Sequence, residues 1–157
     1  MERLKQTFVF VVLVVALFAC VWVSRIFLAL PLVSLIMTPA GVQAVAGVAI
    51  AGGLLPGLLL GFAYGLIKAR PIFWSAFAVA LGACIVELVV ATMSVNWWEF
   101  VTWWVLPLEC VALMVFFPAA AWLSSRLATN AQPALRRRCG IAVFALLTIG
   151  AVTLPWL

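Results

Sequence analysis

The stretch GGLLPGLLLGFAYG, residues 52–65, sets glycine at every fourth position: Gly53, Gly57, Gly61 and Gly65. Inside a helix in water each such glycine costs about 1 kcal/mol relative to alanine. Repeating it at helical spacing therefore has to be explained by the surroundings. In lipid there is no hydrophobic drive between helices, association depends on close packing, and a glycine stripe lets two backbones approach. Residues four apart lie on one ridge, and Ala49 and Ala69 continue it. The ridge suits a right-handed crossing and makes the span 45–67 a central packing helix. Pro56 removes one backbone donor and predicts a kink. A kinked, glycine-lined helix also fits a second reading, a moving element beside a substrate path.

The rest of the chain agrees with a lipid setting. It has 157 residues, 69% hydrophobic and 8% charged. Soluble domains carry roughly 25% charged residues, so this chain could not cover a water-facing surface. Its charges separate apolar runs of about 20 residues, the length a helix needs to cross a bilayer. A transmembrane β-barrel would instead show segments of about ten residues alternating apolar and polar. The reading is an all-α integral membrane protein, a single polytopic domain over 1–157. It is a bundle of about five transmembrane helices at 7–29, 45–67, 72–93, 101–123 and 139–157. The connector 30–44 carries no charge and reads as interfacial or re-entrant.

Charge sets the orientation. Arg3 and Lys5 precede the first span, Lys68 and Arg70 follow the second, and Arg126, Arg136, Arg137 and Arg138 follow the fourth. These eight of nine basic residues fall on one side, which the positive-inside rule makes cytoplasmic. The N-terminus is then inside and the C-terminus outside. The net charge of +5 thus reports topology, and no nucleic-acid partner is expected. Trp97, Trp98, Trp103 and Trp104, with Trp156 and Trp22, read as an outer interfacial belt. Trp74, Trp122 and Tyr64 lie beside the inner basic loops. An aromatic cage for a cation is the alternative for the four-Trp cluster.

Two carboxyl residues lie inside spans. Insertion scales put a buried acidic residue at about +2.5 to +3.5 kcal/mol, so Glu87 and Glu109 each need a reason. Counted from the outer ends of the third and fourth spans, their depths agree within about 3 Å. Ala76, Ala80, Ala83, Glu87 and Ala91 share one small-residue stripe, which turns Glu87 toward protein. Glu109 shares a looser face with Thr102, Ala112 and Ala119. Two carboxyls brought together in a low dielectric do not both ionise easily, so the pair fits proton carriage or cation binding. The alternative is that each is protonated and hydrogen-bonds a neighbouring helix. Arg25, near the outer end of the first span, is the third member of this candidate polar site. It could pair with Glu87, Glu109 or Glu99, or snorkel to the surface.

The chain contains no His and no Asp, which removes most metal sites and the usual catalytic triads. Glu109 and Cys110 are adjacent, so their side chains diverge by about 100° and make a poor dyad. No catalytic residue, cofactor or metal is expected. Cys20, Cys84, Cys110 and Cys139 show no CxxC spacing and read as free packing thiols. LFAC, residues 17–20, resembles the lipobox of bacterial lipoprotein signals, but the apolar run continues past Cys20 and reads as an uncleaved helix. The short N-terminus suggests a bacterial inner membrane by exclusion. RRRC, residues 136–139, can attract anionic headgroups. Partners are the bilayer and either another membrane protein or a second copy of the chain. The leading expectation is an accessory or interaction subunit of a membrane complex. The alternative is a small oligomeric proton-coupled transporter using Glu87 and Glu109.

Overall fold

The structure, a computed structural model, describes residues 2–29, 39–68, 73–93 and 99–153, without the side chains of 2–3, 25–29, 39–46, 48, 99–105 and 151–152. Among the described residues the regular elements are helices: α1 (Glu2–Ala29), α2 (Pro39–Ile67), α3 (Phe73–Met93), α4 (Glu99–Leu127) and α5 (Pro133–Thr153). Four of them are long and apolar enough to cross a bilayer, over Leu4–Ser24, Ala49–Ile67, Phe73–Met93 and Leu106–Leu127. α5 is not in that group, because its first turns carry Arg136, Arg137 and Arg138. Residues 154–157 of the expected fifth span lie outside the described residues.

The helices overrun several expected boundaries. α2 begins at Pro39, so residues 39–44 of the charge-free connector are helical, and residues 30–38 lie outside the described residues. Proline suits a first helical position, where its missing N–H would have had no partner. α4 continues to Leu127 and α5 begins at Pro133, which shortens the polar loop. There the Arg136 N–H donates to the Gln132 carbonyl at 3.0 Å, closing the first turn of α5. Pro56, Pro107 and Pro118 all lie inside continuous helices. Hydroxyls within the helices are satisfied locally: Ser124 donates to the Ala121 carbonyl at 3.1 Å and Thr148 to that of Phe144 at 2.8 Å. Such back-bonding satisfies a hydroxyl that lipid would leave without a partner.

α2 and α4 form the centre. A Cβ at Gly53 would overlap the Glu109 carbonyl oxygen, one at Gly61 that of Phe117, and one at Gly65 that of Ala121. At Gly57 the nearest Leu113 atom stands at 3.6 Å. Glycine and partner are 56 positions apart in all four cases, so α2 and α4 run parallel and in register along the ladder. α3 runs the opposite way. Its Ser75 meets Tyr64 near the end of α2, while its Cys84 and Glu87 meet Cys110 near the Gly53 level. α1 packs on α3 where Gly82 faces Val14 and Phe10, and α5 seats Gly140 on Ala63, Leu66 and Ile67 of α2.

The core between these helices contains Leu17, Leu60, Tyr64, Val79, Leu113 and Phe117. Tyr64 lies beside the basic end of α2, its ring centre 5.3 Å from Lys68 Nζ and turned into the protein. It is 2% exposed, stacks at 5.7 Å on Phe117, and its hydroxyl shares a 3.0 Å hydrogen bond with Ser75. Its phenol therefore finds a partner inside the protein. Trp74, Trp122 and Trp22 do lie exposed. The four-Trp cluster at 97–104 falls outside the described side chains.

Candidate functional site: carboxyl groups inside the bundle

Glu87 and Glu109 are both withdrawn into protein, 3% and 0% exposed. The reason is local on α3. Ala76, Ala80 and Ala83 make the buried face of that helix, and Glu87 is its next member. On α4 the face differs from the one expected. Ala112 is buried with Glu109, but the stripe then passes through Ala120 and Ala121, while Ala119 is exposed. Helical periodicity of 3.6 carries a stripe spaced by sevens and tens slowly off one side. Thr102 falls outside the described side chains.

Elements from four helices surround the two carboxyls. From α4, the Cys110 thiol points to Glu87 Oε2 at 4.0 Å. From α3, the Cys84 thiol points to the Cys110 carbonyl at 3.8 Å. Cys84 lies within electrostatic range of both Glu87 and Glu109. From α2, Gly52 faces Glu109, and a Cβ there would stand 2.8 Å from Glu109 Oε1. From α1, Ser24 Oγ donates to the Gly52 carbonyl at 3.1 Å and lies 2.8 Å from that of Val21. Gly52 thus has two roles: its missing side chain makes room for a carboxyl, and its carbonyl ties α2 to α1.

Thiols are weak donors, so the Cys110–Glu87 contact is a soft one. Both carboxyls lie within electrostatic range of Cys84, and carboxyls that approach each other in a low dielectric disfavour double ionisation. The arrangement can hold a proton, accept one from outside, or take a cation whose charge offsets both groups. Among the described residues no group of three His, Cys, Asp or Glu side chains is placed to hold a metal. Arg25 lies on α1, but its side chain, like that of Glu99, is outside the described residues.

Sequence reasoning missed Cys84, Ser24 and Gly52 as neighbours of the carboxyls, and Cys110 as a neighbour of Glu87. One signal was available: Cys84 precedes Glu87 by three residues and so shares its face. Gly52 was hidden by the stronger periodic pattern that begins one residue later. No protein-family model, curated protein or solved structure matches the chain.

Proposed function

We propose that the chain is a multi-pass membrane protein that serves as an accessory or interaction subunit of a membrane complex. The observation that carries this reading is the in-register seam between α2 and α4. Backbone meets backbone at successive turns, and interiors packed in this way do not deform continuously. A ladder seated along its length suits a static frame better than a helix that slides or swings during transport. The frame also leaves large apolar faces on its outer helices. Val11, Val15, Ile85, Leu88 and Val89 are among the exposed side chains of α1 and α3, and they are available to lipid or to a neighbouring membrane protein.

The same proposal places five crossings in a bacterial inner membrane, with the basic ends of α2, α4 and α5 in the cytoplasm. Its support is the asymmetry of Lys and Arg and the alternating direction of α2, α3 and α4. Gentle extraction of the tagged chain from native membranes, with quantitative mass spectrometry, tests the accessory role. A partner at fixed stoichiometry supports it; a homo-oligomer with no partner overturns it.

A second reading rests on its own observation, the burial of both Glu87 and Glu109 within electrostatic range of Cys84. It is a small oligomeric transporter coupled to protons through those carboxyls. Proton uptake into vesicles that is lost in Glu87→Gln and Glu109→Gln would support this reading. Uptake unchanged in both variants would remove it.

A further inference from the structure

Cys84 of α3 and Cys110 of α4 meet where the two helices pack. Their thiols share a side-chain hydrogen bond. The Cys84 thiol also points to the Cys110 carbonyl at 3.8 Å, and the Cys110 thiol to Glu87 Oε2 at 4.0 Å. The other two cysteines are placed differently: Cys20 turns to the Leu147 carbonyl at 3.9 Å, and Cys139 is exposed. A thiol that only fills space needs no second thiol against it. We propose that Cys84 and Cys110 form a two-sulfur binding site for a soft monovalent metal ion, Cu(I) or its analogue Ag(I). The site stands apart from both functional readings above, because it needs neither a partner protein nor proton coupling.

Ligand chemistry selects the ion. Thiolate sulfur favours Cu(I), zinc and iron–sulfur clusters over hard ions such as magnesium or calcium. Ligand number then decides among these. Structural zinc takes four ligands, catalytic zinc three and a water, and iron–sulfur clusters take four cysteines. Among the described residues no group of three His, Cys, Asp or Glu side chains is placed to hold a metal. A soft monovalent ion is satisfied by two sulfurs in line, which the two thiols supply by themselves. Charge points the same way. An ion leaves water for a low-dielectric interior at high cost unless its charge is balanced. Here the S–H bond of one thiol breaks, its proton leaves, and a sulfur–metal bond forms in its place. The second sulfur donates a lone pair to the same metal. One monovalent ion thus replaces one proton, and the interior gains no charge. A divalent ion would need a second deprotonation and further ligands.

Both sulfurs sit on packed helices. Cys84 belongs to the buried core with Val79, Ala83 and Leu113, and Cys110 packs against it. α4 is in turn held to α2 along the glycine seam. Ligands on such elements keep their spacing better than ligands on loops. Access is unequal: Cys84 is 7% exposed, whereas Cys110 is half-buried. An ion delivered by ligand exchange therefore meets Cys110 first and is enclosed on the Cys84 side. The two thiols are 26 positions apart on separate helices, so no short spacing in the sequence marks them as a pair.

The test uses the full chain carrying Cys20→Ser and Cys139→Ser, purified in neutral detergent with ascorbate, so that Cys84 and Cys110 are the remaining thiols. Cu(I) or Ag(I) is added against a competing chelator, and bound metal is read by native mass spectrometry. We expect one ion per chain. In the same background Cys84→Ser and Cys110→Ser should each weaken retention at least about tenfold, since losing even a group behind the ligands costs about 10–100-fold. Zinc should not be retained. X-ray absorption at the copper edge needs no further substitution and should show two sulfur neighbours. No ion retained, retention unchanged in either serine variant, or oxygen and nitrogen neighbours at the copper would overturn the proposal. Zinc held as well as Cu(I) would overturn the assignment to a monovalent ion.

Discussion

Gly61 of α2 lies against the backbone of Phe117 of α4, so closely that a methyl group at Gly61 would overlap the Phe117 carbonyl oxygen. Four residues earlier the contact is looser, with the nearest Phe117 atom 3.4 Å from a Cβ at Gly57. The two positions should therefore respond differently to the same substitution. Gly61→Ala must push the helices apart and should destabilise the chain by about 1–3 kcal/mol. Gly57→Ala should be neutral, or stabilising by up to about 1 kcal/mol through helix propensity. Thermal unfolding of both variants in the same detergent measures the contrast, and equal losses would contradict the register.

Gly52 and Glu109 make a second coupled pair. Gly52→Ala brings a methyl group to 2.8 Å from Glu109 Oε1 and should cost about 1 kcal/mol or more. Glu109→Asp shortens the carboxyl and should relieve that clash. A double-mutant cycle on stability should give a coupling of about 0.5–3 kcal/mol in the rescuing direction. Additive losses would mean that the Glu109 side chain lies elsewhere.

The Tyr64–Ser75 hydrogen bond links α2 to α3. Tyr64→Phe and Ser75→Ala should each destabilise by about 0.5–1.5 kcal/mol. The double variant should lose little more than either single one. Urea or thermal titration of the three proteins measures this, and fully additive effects would show that the two groups are not partners.

The four thiols differ in access. Cys139 is exposed beside Arg138, whereas Cys84 is buried between α3 and α4. A membrane-impermeant maleimide should label Cys139 in inverted inner-membrane vesicles and leave it unlabelled in intact cells, as the proposed orientation requires. Cys84 should react only after denaturation. Labelling of Cys139 from outside intact cells would reverse the topology.

Much of the fold was legible because lipid imposes a simple rule on the chain: long apolar runs must be helices. The ladder was legible because glycine has no other reason to recur at helical spacing in a span. The inward faces were harder to read. Where both lipid and protein are apolar, a valine carries no mark of which one it touches, and only small or polar side chains discriminate. Glu87 was placed on its stripe by the alanines of α3, but on α4 the sparse pattern led to Ala119 where Ala120 and Ala121 are the buried pair. Ser75, which shares a hydrogen bond with the Tyr64 hydroxyl, could not be foreseen as its partner from spacing alone. Helix ends at Pro39 and Pro133 were hidden for another reason. Hydropathy reports where lipid begins, whereas a helix can continue past that level into the headgroups.

The constant offset of 56 residues between the glycines and their partners has a consequence for synthesis. The two halves of the seam are not made together. At about 5–20 residues per second, α2 has left the ribosome some 3–11 seconds before the matching part of α4 exists. During that interval its glycine face is bare, with α3 the only other helix made after it. A nascent chain stalled after α3 should therefore present an open small-residue groove. In the finished protein α4 closes that groove, so any membrane chaperone that attends this protein has a brief and defined time in which to bind.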